Sequence, residues 1–166
     1  GNLAAVNGVT INDAVAATAG TLTIDADTDN DGTGTFTTIA AGTIDSTGET
    51  LDITAGDVVI GATVTAGTLN ITDSDGGGIG LGDTTVVGGL NVSAAELELI
   101  TTTTLMELIT AGNVTVNGIA ATNSNTVNTL TIDAVGAITF ASAKSTFNAL
   151  TVEADDGVTA NVDITT

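Results

Sequence analysis

The stretches GTLTI (20–24), ETLDI (49–53), GDVVI (56–60), GTLNI (67–71) and GGLNV (88–92) repeat one short phrase. Two small, acidic or otherwise polar residues are followed by an apolar–middle–apolar triplet whose middle residue is usually polar. GNVTV (112–116), NTLTI (128–132), GAITF (136–140), NALTV (148–152) and ANVDI (160–164) continue the series. Each phrase has the period of two of a β-strand, with the flanking residues facing in and the middle residue facing out. Among the middle positions only Val59 is apolar. Such a strand is too short to bury its apolar face alone, so the units must stack on one another.

Corresponding phrases recur roughly every 20 residues, and further phrases fall between them, so each repeat holds two or three strands. That pattern predicts an all-β chain folded as a right-handed parallel β-helix of about seven to nine coils, at roughly 4.8 Å per coil. Leu69, Ile71, Leu90, Val92, Leu130, Ile132, Leu150 and Val152 are expected inside. No linker or shift in composition divides residues 1–166, so the chain reads as one repeat domain or one segment of a longer array. It opens on Gly1 without a Met, which reads as a processed product or an excerpt.

Composition supports the same architecture. Hydrophobic residues reach 42% but aromatics only 2%, so the interior is aliphatic; glycine is abundant at 21 and proline is absent. There are 20 acids against a single cation, Lys144, a net charge of −19. That balance excludes nucleic acid as a partner, because phosphate contacts require clustered Lys and Arg. No apolar run is long enough to insert in a bilayer. His, Cys, Tyr, Trp and Arg are all absent, which removes the usual bases, thiol nucleophiles and phosphate clamps and argues against an enzyme.

Two stretches, 25–35 (DADTDNDGTGT) and 73–83 (DSDGGGIGLGD), read as loops leaving the strand pattern, and 121–129 is a milder third. Residues 93–110 are ambiguous. Ser93 and Glu96 match a helix capping box, whereas Thr101–Thr104 and the triplet Leu97-Glu98-Leu99 favour a strand, which is the expectation adopted. Asp27, Asp29 and Asp31 before Gly32 match the opening D-x-D-x-D-G of a calcium loop. The twelfth position is Thr38 where a full loop needs Glu, so an EF-hand is rejected. A simpler calcium-stabilised turn and an ordinary solvated turn both stay open; calcium is the only cofactor considered, and none is required. Gly77–Gly80 with Asp83 is out of register for a calcium-binding β-roll and reads as a tight turn. Asn70, Asn91 and Asn113 open N-x-S/T triplets, read as chance occurrences or as a stacked Asn ladder.

The segments GIGLGDTTVVGGLNVSAAELELIT (79–101), AGNVTVNGI (111–119) and ITFASAKSTFNALTVEADDGVT (138–159) resemble the strand-repeat regions of very large bacterial surface proteins similar to filamentous haemagglutinin, a two-partner-secretion family. The resemblance implies an extracellular or cell-surface structural module of a filament or adhesin shaft. Both ends of the chain are strand-like, which predicts head-to-tail pairing with another copy or with adjacent repeats of one long chain. A receptor- or glycan-binding passenger domain is the alternative. A Thr-rich ice-binding face, from T-x-T at 21–23, 35–37, 63–65 and 129–131, is a remote one.

Overall fold

The computed structural model describes residues 1–166. The chain forms eighteen strands, β1 (Asn2–Ala4), β2 (Val9–Ile11), β3 (Val15–Ala16), β4 (Leu22–Asp25), β5 (Thr35–Thr38), β6 (Ile44–Ala55), β7 (Asp57–Ile60), β8 (Val64–Asp73), β9 (Ile79–Gly82), β10 (Leu90–Val92), β11 (Ile100–Thr110), β12 (Val114–Asn117), β13 (Leu130–Ala134), β14 (Ile138–Phe140), β15 (Ser145–Thr146), β16 (Leu150–Ala154), β17 (Val158–Ala160) and β18 (Ile164–Thr165). Two short helical turns, α1 (Ala94–Leu97) and α2 (Ala121–Ser124), interrupt them. Every strand pairing is parallel. Parallel neighbours need a long excursion between them, and here other strands supply it.

The largest sheet runs β1-β4-β6-β8-β11-β13-β16, with β3 beside β6, so spatial order follows chain order. Register places like on like. Leu22, Leu51, Leu69, Met106, Leu130 and Leu150 form one row, and Ile24, Ile53, Ile71, Leu108, Ile132 and Val152 another. A second sheet runs β10-β9-β12-β14-β17, stacking Leu90, Ile79, Val114, Ile138 and Val158. A third, β2-β5-β7, stacks Val9, Phe36 and Val58, and β15 pairs with β18. The rows meet in a single apolar cluster of 33 buried residues. A fully buried Leu or Ile is worth about 1.5–3 kcal/mol, so the rows, not the tight turns, carry the stability. Of the eight positions expected inside, six are buried; Leu150 and Val152, on the last strand of the large sheet, are half-buried.

β6, β8 and β11 are long because each continues through an irregularity in its ladder. Register shifts between Ser46 and Thr50, and again between Thr102 and Leu105, mark the irregularities, and Gly48 takes φ 78 at the first. Two expectations are corrected. Residues 94–97 are a helical turn, because Glu96 and Ser93 cap it reciprocally; the strand begins only at Ile100. Within 73–83, residues 74–78 form a loop, Asp83 opens the next loop, and Ile79–Gly82 between them is a fully buried strand. Its alternating glycines hid the pattern. Gly80 lies against Asn91 and Gly82, at φ 88, against the Asn117 carbonyl, leaving no room for a side chain.

Candidate metal-binding loop and its surroundings

The loop between β4 and β5 folds around Asp27. The Asp27 amide donates to Asp25 Oδ1 (3.2 Å), and Asp27 Oδ2 accepts from the Gly32 amide (2.9 Å) and from the Ser74 hydroxyl. Asn30 (φ 54) and Gly32 (φ 79) adopt left-handed backbone, which Asn and Gly tolerate best, and this closes the turn. Asp31 Oδ1 accepts from the amide (2.9 Å) and hydroxyl (2.6 Å) of Thr33. The result brings one carboxylate oxygen each from Asp27, Asp29 and Asp31 within 4.8 Å of one another. Asp27 is wholly buried, and its Oδ1 has no partner; Asp29 and Asp31 are exposed.

The charges respond accordingly. Burial works against ionisation of Asp27, but the Ser74 hydroxyl and the Gly32 amide outweigh it and hold its carboxyl below the usual range. Asp29 is pushed up, by loss of water around it and by the charges of Asp31 and Asp27. Thr38, the twelfth position, lies buried in β5, where its Oγ1 accepts from the amides of Gly61 (3.0 Å) and Ala62 (3.1 Å). It is a sheet fastener and takes no part in the loop.

Sequence reasoning missed the neighbours of this loop. Ser74 comes from the turn after β8, and Asp75 beside it packs against Gly32. Asp73 ends β8 at an inward position whose register partner is Ala55. Its Oδ2 accepts from the Gly78 amide (2.9 Å) and the Thr110 hydroxyl (2.6 Å), while its buried Oδ1 has no partner. Burial, with the nearby Asp75, raises its carboxyl. The aspartates of DSDGGG were legible as turn residues; that one of them points inward follows only from the register.

A second polar feature joins two sheets. β7 and β10 are neighbours with no backbone ladder between them, and carboxylates stand in its place. Asp57 Oδ1 accepts from the amides of Val58 (3.0 Å) and Asn91 (2.8 Å). Glu96 Oε1 accepts from the Ile60 amide (2.9 Å), and Oε2 from the amide (2.8 Å) and hydroxyl (2.7 Å) of Ser93. Strand-edge donors that would be orphaned at this seam are thereby satisfied.

The asparagine triplets are structural. Asn91 Nδ2 donates to the carbonyls of Gly89 (2.7 Å) and Val86 (3.2 Å), and its Oδ1 accepts from the Val86 amide (2.7 Å). Asn113 Oδ1 accepts from the Ala137 amide (2.8 Å), and Asn70 donates to Asp52 (2.7 Å). No Asn ladder forms: Asn70 lies in register with Asp52 and Glu107, and Asn91 with Gly80. The T-x-T pairs do not stack on one another either. Thr23 faces Asp52, Thr37 faces Thr10 and Val59, Thr65 faces Asp45 and Thr101, and Thr131 faces Glu107 and Thr151. No helix is long and apolar enough to cross a membrane. No protein-family model matches the chain, and no curated protein or solved structure matches it.

Proposed function

We propose that the chain is a right-handed parallel β-helical module of an extracellular bacterial filament or adhesin shaft, and that it works as a stiff stacking element. The observation that carries this reading is the large sheet: seven strands visited in chain order, all parallel, with like residues in register. Parallel crossovers are right-handed in nearly all proteins, which supports the handedness. An aliphatic interior sheathed in acidic and threonine-rich faces suits a long-lived, soluble rod.

Stacking end to end extends the same geometry. β1 pairs only with β4, and β16, β17 and β18 pair only with β13, β14 and β15, so each of these strands has one edge without a partner in the chain. An open parallel edge accepts another parallel strand, from adjacent repeats or from a second copy. Repetition of a heterologous contact gives an open filament. A non-catalytic role rests on the residue inventory, which holds no His, Cys, Arg, Tyr or Trp. No exposed aromatic platform favours the glycan-binding alternative, since Phe36, Phe140 and Phe147 are all buried.

Electron microscopy of the native material, with mass spectrometry after denaturation, tests the reading. Continuous filaments yielding a 16.1 kDa species support assembly from subunits. Filaments or rods yielding a much larger polypeptide support one long array. A monodisperse monomeric rod with covered ends overturns the stacking proposal.

A further inference from the structure

We infer that Asp27, Asp29 and Asp31 bind one divalent cation of the calcium type, which fastens the 26–34 loop to the turn after β8. Two independent observations carry this. The first is convergence: three carboxylates each place an oxygen within 4.8 Å of the others. Calcium holds oxygen ligands at about 2.4 Å, so two ligands on opposite sides of one ion stand about 4.8 Å apart. The second is a fully buried, unpartnered oxygen. Asp27 Oδ2 is committed to the Gly32 amide and the Ser74 hydroxyl, which fix the carboxylate; Oδ1 is left enclosed with no donor. A buried carboxylate oxygen without a donor is costly to keep charged, and a cation removes that cost.

No side chain of the protein can act instead. The single cation, Lys144, lies beside Gly118 and Ala121, next to β15, outside this loop. Three carboxylates with oxygens this close repel one another, and an external cation between them removes that repulsion. A set of hard carboxylate oxygens without octahedral arrangement favours calcium over magnesium, which demands a tighter octahedron. Because Ser74 holds the same carboxylate, the ion would tie the loop after β4 to the strand order at β8. The proposal stands apart from the filament reading, and either can fail alone.

The test is calorimetric titration of calcium chloride into the full chain after chelator treatment, at neutral pH. The expected result is one saturable site per chain, with binding weakened at least tenfold in Asp29→Asn. Because Asp29→Asn also removes the repulsion from Asp31 and Asp27, this variant should melt no lower than the chelated wild type. Asp163→Asn, on an exposed acid just before β18, serves as the control and should leave binding unchanged. Absence of saturable heat up to about 10 mM calcium, well above the range of extracellular calcium modules, overturns the proposal. Equal weakening by Asp29→Asn and Asp163→Asn also overturns it, since that marks diffuse counterion condensation on an acidic surface. Magnesium should bind at least tenfold more weakly; equal affinity would overturn the calcium assignment.

Discussion

Leu69→Ala is the most direct probe of the stacked rows. Leu69 is wholly buried, and its register neighbours Leu51 and Met106 are wholly buried too. Removing the outer three carbons of the side chain forfeits roughly 2–2.5 kcal/mol of transfer energy, at about 0.8 kcal/mol per buried methylene-sized group. A cavity contribution adds to this, because backbone ladders hold the neighbouring strands in place and the row cannot collapse into the gap. The expected loss is therefore about 3–4 kcal/mol. Leu150→Ala makes the same chemical change at the end of the same row. There the side chain is half-buried and has one register neighbour, Leu130, so the loss should be about 1 kcal/mol. Urea unfolding followed by far-ultraviolet circular dichroism is the assay, since the chain has no Trp or Tyr to report by fluorescence. Losses that agree within about 0.5 kcal/mol, or a Leu69→Ala cost below about 1.5 kcal/mol, would refute the claim that the interior rows carry the fold.

Three further outcomes are expected. Asp73 has its carboxyl raised by burial and by Asp75, so its favourable contribution is full below the unfolded pKa and is lost as pH climbs through the raised folded value. Asp73→Asn should therefore gain melting temperature relative to wild type at pH 7 and lose that advantage near pH 4, about the ordinary carboxylate value; a pH-independent difference argues against it. Glu96→Gln leaves the Ile60 amide or the Ser93 groups short of an acceptor and should cost about 1–3 kcal/mol in urea unfolding, whereas a change within about 0.5 kcal/mol would show that the seam is not held by this carboxylate. Asn91→Ala should free the 83–89 loop, detectable as new proteolytic cleavage beside the 98%-exposed Val87; unchanged cleavage kinetics would contradict the anchoring role of Asn91.

The repeating triplet was enough to read an all-β chain and to place its inward residues, because period two is local and Leu69, Ile71, Leu90 and Val92 follow it without exception. The Asp27 loop was legible for the same reason: its three acids and its glycine are contiguous. What lay beyond reach depends on which strand neighbours which. Ser74 meets Asp27, Glu96 meets Ile60 and Asp57 meets Asn91 across long stretches of chain. Ile79–Gly82 was misread because two of its four residues are glycines, which carry no hydrophobic signal although the backbone there is buried. The helical turn at 94–97 shows the opposite error. The capping pair Ser93 and Glu96 was visible, but Leu97-Glu98-Leu99 imitated the strand triplet beside it.

The excursion through β9 and β10 bears on how such a chain can change over generations. Between Leu69 and its register partner Met106 the polypeptide fits in two strands, a loop tipped by Val87 and a helical turn, yet Leu51, Leu69, Met106 and Leu130 still stack as one row. Spacing along the sequence is thus free to drift while pairing between strands stays fixed. Insertions and deletions at the 83–89 tip would alter the surface outline there without disturbing the stacked rows. Lineages could therefore diversify the surface by changing length there, with the interior rows left under strict selection for shape.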